Sequence, residues 1–289
     1  MRLITALLLA IPTLLQAQSG LPSLRLSAGA HPAAMADLGA ALQGPDATNP
    51  AALAIKGTRA YAFSHNAWIE GIDQEHAHLV YKRAHSIWAL RAQVWQADGL
   101  ERRTGPSSEP LGEFGVYDLS TGIAYTRHLQ SGLRVGGQLK FVRQSISTAT
   151  ASGWAIDLGV LHALSPHVDL GATLLNFGRM SKLERTSTPL PTEGRAGLVY
   201  SGIQRLRIGL EAQKARAGDL SLHVGGQYQA NSLLALRLGY QTSENRHLSA
   251  GLGLRVGTWT IDYAYIPFSS GLGEAHRLSL QLDVGRTSP

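Results

Sequence analysis

The stretch HRLSLQLDVG, residues 276–285, decides the fold. Leu278, Leu280, Leu282 and Val284 fall on one face; Arg277, Ser279, Gln281 and Asp283 fall on the other. Successive side chains of an extended chain point to opposite sides, so a strict period of two gives a β-strand with one apolar and one polar face. The same pattern occurs upstream. TWTIDYAYI sets Trp259, Ile261, Tyr263 and Tyr265 against Thr260, Asp262 and Ala264. LLALRLGYQ sets Leu234, Leu236, Leu238 and Tyr240 against Ala235, Arg237, Gly239 and Gln241. VYDLSTGIAYT sets Tyr117, Leu119, Ile123 and Tyr125 against Asp118, Ser120, Gly122 and Ala124. The same pattern recurs over 59–66, 75–83, 86–95, 132–144, 153–163, 167–176, 194–200, 205–214, 219–228 and 247–256. The total is about fourteen strands with no long helical pattern between them, which predicts a sequential antiparallel β protein.

Alternation alone does not say which face is wet. A soluble sandwich hides its apolar face, whereas a membrane barrel turns it to lipid. Three features favour the barrel. Connections alternate in length: ADGLERRTGPSSEPLGE and GRMSKLERTSTPLPTEG are long and polar, while LQSG, Ser165-Pro166 and Gly257 are tight. An even strand number returns both chain ends to one side. Trp88, Trp154, Trp259, Tyr81 and Tyr263 lie on apolar faces, several near strand ends, where interfacial aromatics sit. The expected fold is a closed antiparallel transmembrane β-barrel over 57–289.

Composition agrees. Among 289 residues there are 32 glycines, no cysteine and only 16% charged residues, with a formal charge of +6. Without cysteine, burial and closure must hold a secreted chain together. The arginines are scattered rather than clustered, so nucleic acid is not an expected partner. MRLITALLLAIPTLLQAQ has a charged start, a short apolar run and a small residue at Ala17, the pattern of a signal peptide over 1–17.

Residues 18–56 do not alternate. Pro32–Leu42 has the composition of a short helix, stopped by Gly44-Pro45, and Asn49-Pro50 forms a turn. Such a segment is too apolar to hang in water and too thin to make a domain. It is expected to sit inside the barrel as a plug, with Asp37, Asp46 and Asn49 meeting lumen arginines. Inward positions such as Arg134, Gln138, Lys140, Arg237 and Arg255 are polar.

SAGAHPAAMADLGAALQGPDATNPAALA resembles the opening of the PorV/PorQ family, which belongs with the FadL-like fourteen-stranded outer-membrane barrels. Met35, Gly39, Asp46, Asn49, Pro50 and Ala51 match its Met-x-x-x-Gly and Asn-Pro-Ala elements. Asp157, Gly159, Asn176 and Gly178 match its mid-barrel strands. Asp262, Tyr263, Leu272, Gly273, His276 and Arg277 match its closing hairpin. The resemblance implies a bacterial outer-membrane protein associated with type IX protein secretion, a cargo-docking or accessory role, with outer-membrane lipid and secreted cargo or secretion-system components as partners. The alternative it implies is a FadL-like channel for hydrophobic small molecules, admitted by a lateral opening near a kinked strand. An apolar lumen pocket favours transport and a polar, blocked lumen favours docking.

No enzyme, cofactor or metal is expected. His76 and His78 share a strand face, but a zinc site needs a third ligand and none has recognisable spacing. The serines and histidines form no nucleophile motif. Gly136-Gly137 and Gly225-Gly226 lie inside strands with no following helix or lysine, so crowding rather than phosphate binding explains them.

Overall fold

A computed structural model describes residues 20–106, 109–186, 189–243 and 245–285. The signal-peptide stretch lies outside the described residues. Fourteen strands follow in order: β1 (Arg59–Ala67), β2 (Asp73–Arg83), β3 (Ser86–Glu101), β4 (Glu113–His128), β5 (Leu133–Ile146), β6 (Ala149–Ser165), β7 (Val168–Met180), β8 (Glu193–Ile203), β9 (Leu206–Ala215), β10 (Leu220–Gln229), β11 (Leu234–Gln241), β12 (Leu248–Val256), β13 (Trp259–Pro267) and β14 (Glu274–Val284). Each pairs antiparallel with its sequence neighbours, and β1 pairs with β14, so one sheet closes on itself. Phe63 lies opposite Leu280 and Arg59 opposite Val284 across that seam.

The wall is apolar outside and polar inside. Leu278 is 52% exposed while Arg277 beside it is 1% exposed. The same holds for exposed Leu238 next to buried Arg237, and for exposed Leu210 next to buried Glu211. Two stacked sheets would bury these leucines against one another. Here only lipid can cover them, and closure pairs the backbone groups that lipid leaves unsatisfied.

Connections at the end carrying Arg59 and Val284, the terminal end, are two to four residues long. The opposite, loop end carries the long 102–112 and 181–192 connections. One link breaks the expected contrast: β5 and β6 join through Ser147 and Thr148 alone. Most of SISTATASG, residues 145–153, is strand, because β3 through β7 run past the alternating stretches and build a taller wall. The wall is also irregular. On β7, Leu175 and Asn176 together oppose Asp157, so both turn inward at a β-bulge, with Asn176 at φ 57°. On β3, Asp98 and Gly99 oppose Gly115.

The lumen is occupied by residues 20–56. Met35, Leu38, Leu42, Ala51, Leu161 and Val199 form an apolar cluster between this segment and the wall. The expected helix over 32–42 is only one turn, α1 (Ala30–Ala33). After it, Ala36 and Asp37 take left-handed φ values of 58° and 56°. Wall side chains meet the backbone groups that a helix would otherwise satisfy internally, so intrinsic propensity does not decide the conformation.

Leu280 sits in the outward apolar band opposite Phe63 and Ile261. Leu280→Arg is expected to destabilise the barrel by about 2–4 kcal/mol, whereas lumen-facing Gln281→Arg changes little. Urea unfolding in lipid vesicles, read by heat-modifiable gel migration, checks both.

Candidate functional site

The irregular segment is anchored by wall side chains that cap its backbone. The Glu211 carboxylate accepts from Gly39 N–H at 2.8 Å and Ala40 N–H at 2.7 Å. His223 Nδ1 donates to the Ala36 carbonyl at 2.6 Å, and Thr126 Oγ1 to the Pro50 carbonyl at 2.5 Å. Arg91 donates to the Ala47 carbonyl at 2.8 Å. Arg277 reaches the Ser27 carbonyl and the Gln74 amide oxygen, the latter at 3.1 Å. Each wall residue reaches the lumen because it occupies an inward position of its strand.

The Asn-Pro-Ala stretch is a 3-10 turn, Pro50–Ala52, with Asn49 as its N-cap: the Asn49 side chain accepts from Ala51 N–H at 2.9 Å. Its amide donates to the Ala40 carbonyl at 2.6 Å and, across to β6, the Val160 carbonyl at 3.0 Å. Asn49 thus ties the segment to the wall through backbone carbonyls rather than through an arginine. Asp37 does meet an arginine, Arg246 at 2.5 Å, on the β11–β12 connection. Burial alone would raise the Asp37 carboxyl, but Arg246, Arg277, the Ser27 hydroxyl and Arg195 outweigh it and hold it below its ordinary value. Asp46 makes no ion pair among the described residues. It lies against Gly29 and lines a small internal cavity of about 60 Å³. Desolvation, then the charge of Asp262, raises its pKa to about 6.

The closing-hairpin residues do not form one site. Asp262 and Arg277 point inward, Asp262 pairing with Arg237 at 2.6 Å. Tyr263 and His276 are on the outer wall and bond each other at 2.7 Å. Leu272 and Gly273 belong to the loop-end connection. At the β7 bulge, Asp157 pairs with Lys140 at 2.8 Å and accepts from Asn176 N–H at 2.7 Å. Among the other inward residues, Arg134 donates to Gln43 at 2.7 Å and Arg91 to Gln138 at 3.1 Å.

Sequence reasoning passed over a buried charge network. Glu193 holds Arg195 and, at 3.0 Å, Arg25, while Arg195 donates to the Asp37 carbonyl at 3.1 Å. The signal was present: Glu193 and Arg195 are two apart, hence on one strand face. His76 and His78 are both buried with ring centroids 4.1 Å apart, and neither nitrogen of His78 has a hydrogen-bond partner among the described residues. No cluster of three potential metal ligands occurs among the described residues.

Crowding accounts for only the first glycine of each in-strand pair. A Cβ on Gly136 would lie 2.5 Å from the Pro50 carbonyl carbon and 2.8 Å from Ala51 Cα; one on Gly225 would lie 2.7 Å from the Met35 carbonyl oxygen. Gly159, Gly171 and Gly239 give way to the same segment. Gly226 faces outward and a Cβ there meets nothing within 4 Å. It marks a dent in the outer wall. Gly226, Leu238, Ala250 and Tyr265 are successive partners across β10 to β13, and a groove of about 500 Å³ runs over them toward Tyr240 and Leu248 near the loop end. Its floor includes Gly239 and Ser249. Ser249 Oγ accepts Ala36 N–H at 3.0 Å on the inner side, so the wall between lipid and the left-handed bend is one strand thick and nearly without side chains.

Two substitutions test the slot. Gly136→Ala is expected to destabilise the folded barrel by about 1–3 kcal/mol, while Gly226→Ala leaves it unchanged; heat-modifiability midpoints compare them. A carboxyl whose folded pKa is raised destabilises the fold once ionised, a penalty absent below its ordinary pKa and complete above the folded one. Asp46→Asn therefore stabilises the protein at pH 8 by up to about 3 kcal/mol and not at pH 3, as urea titrations at the two pH values will read.

No known protein-family profile matches the chain, and no curated protein is similar to it in sequence. Solved structures do match. The Pseudomonas putida toluene transporter TodX aligns with a TM-score of 0.69 at 14% identity, over 91% of this chain and 100% of that one. The Ralstonia pickettii toluene transporter TbuX aligns at 0.65 and 15%, over 90% and 99%. A Pseudomonas aeruginosa FadL homologue aligns at 0.63 and 12%, over 89% and 98%. At these identities the likeness establishes the fold, a FadL-like fourteen-stranded barrel.

Proposed function

We propose that this chain is a non-enzymatic FadL-like channel of the bacterial outer membrane that admits small hydrophobic molecules, with residues 18–56 as its plug. The observation that carries the reading is the apolar groove over Gly226, Leu238, Ala250 and Tyr265. It opens to lipid, it has the volume of a small-ligand pocket, and only Gly239 and Ser249 separate it from the Met35–Asp37 bend of the plug. A hydrophobic solute partitions into lipid before it reaches the wall, so a lateral groove meets it where its concentration is highest. The left-handed bend at Ala36 and Asp37 is the part of the plug nearest that groove, held there by Ser249, His223 and Arg246. Support also comes from the whole-chain fold shared with two toluene transporters.

A second reading, a PorV/PorQ-type docking or accessory role in type IX secretion, is favoured by the lumen itself. The lumen is filled by the N-terminal segment, and its remaining cavities are lined by polar and charged side chains. A docking barrel passes no solute.

Toluene uptake into proteoliposomes separates the two. On the channel reading the wild type accelerates uptake, and Gly226→Leu, which fills the dent without touching the plug, lowers the rate several-fold. Absence of protein-dependent uptake in the wild type, or a Gly226→Leu rate equal to wild type, defeats it.

A further inference from the structure

The terminal-end vestibule carries more positive charge than its own acids neutralise. A cavity of about 400 Å³ opens there between the wall and the later part of the plug segment. Lys56, Arg207, Arg237 and Arg255 line it, against Asp262 and Asp283. Asp262 is taken by Arg237 at 2.6 Å, while Asp283 accepts from the Gln281 amide at 2.8 Å and keeps its charge, which acts on Lys56. Asp169, whose charge reaches Arg207, accepts from the Gln43 amide at 2.8 Å. Lys56, Arg207 and Arg255 are left with no side-chain hydrogen bond or ion pair among the described residues. Lys56 and Arg255 are exposed and Arg207 is half-buried, so the site is open to the aqueous compartment, and gathering like charges around it favours a bound anion.

A histidine borders the same cavity: His31, on α1, is one of its lining residues, although its Nε2 is turned away from the open space and has no hydrogen-bond partner among the described residues. Burial first, then the charges of Arg237, Arg207 and Arg255, hold this imidazole well below its ordinary pKa. The amides of Gln227, Gln229 and Gln281 and the Thr260 hydroxyl line the cavity too, together with apolar residues such as Ile55 and Leu233.

The geometry points to an oxyanion-binding site in this vestibule, taking one carboxylate or phosphate group between Arg207 and Arg255, beside His31. Guanidinium forks match both groups bidentately, which an ammonium does not. The site goes beyond the hydrocarbon-channel reading, since a hydrocarbon has no group for it to hold. Its anion comes either free from the aqueous compartment or as the acid end of an amphiphile inside the barrel.

The test uses the full chain in a non-ionic detergent, with inorganic phosphate, decanoate and uncharged toluene as calorimetric probes. At least one of the two anions is expected to bind saturably, with affinity falling as salt rises. Toluene gives no vestibule signal. Arg207→Gln and Arg255→Gln each weaken the anion about tenfold, while Arg216→Gln, on the loop-end side, does not. Phosphate binding at least as tightly as decanoate identifies a free anion; decanoate binding tenfold tighter identifies an amphiphile. Heat-modifiable migration confirms that each variant is folded. A measurement needing no variant accompanies these: the anion raises the NMR titration midpoint of His31 in the wild type by about one pH unit. The proposal is overturned if neither anion binds, if binding is equal in both arginine variants and wild type, or if the His31 midpoint stays fixed as the anion saturates.

Discussion

Hydrocarbon accepts no hydrogen bonds, and the architecture is a consequence of that fact. Every backbone N–H and C=O in the wall must find a partner within the sheet, so the sheet must close. Here β1 meets β14 along the full length of β1, from Arg59 opposite Val284 to Ala67 opposite His276. Closure fixes the sidedness of each strand. Leucines such as Leu278 and Leu280 go to lipid, and their polar neighbours Arg277 and Ser279 go inward. The lumen that results is lined by groups that require partners of their own.

The N-terminal segment supplies many of those partners. Its chain is neither helix nor strand for most of its length, so its backbone groups are unsatisfied by any local pattern. The wall's side chains are unsatisfied by the sheet. The two sets meet: Glu211 on Gly39 and Ala40, His223 on Ala36, Arg91 on Ala47, Thr126 on Pro50. Glycines at inward positions let the segment's backbone approach the wall closely enough for these bonds to form. Where a glycine faces outward instead, at Gly226, the same absence of a side chain leaves a dent on the lipid side. The groove and the plug contact are thus two faces of one glycine-rich patch on β10 to β12.

The placement of charge separates the two ends of the lumen. Toward the loop end and the middle, most acids pair with cations, as in the Glu193–Arg195–Glu211 and Lys140–Asp157 groups. At the terminal end four cations, Lys56, Arg207, Arg237 and Arg255, share one cavity with only two acids, Asp262 and Asp283. A channel for uncharged solutes has no evident need of that surplus, and so it points to an anion rather than to the solute proposed for the groove.

The sequence by itself determined the wall. A period of two is a local property, and fourteen repetitions of it carry strand number, order and the inward or outward sense of Arg277, Asp262 or Trp154. It also marked Asn49 as a turn residue, because an Asn-Pro pair acts on its own backbone. It did not determine the shape of residues 30–42. Alanine and leucine there favour a helix, but Glu211 and His223, each more than 170 positions away, hold the backbone in a bend. Nor did it show which glycines face the plug and which face lipid, how the closing-hairpin residues divide between lumen and exterior, or that Lys56, Arg207 and Arg255 share one cavity. Those are relations between distant strands, and only closure of the barrel brings them together.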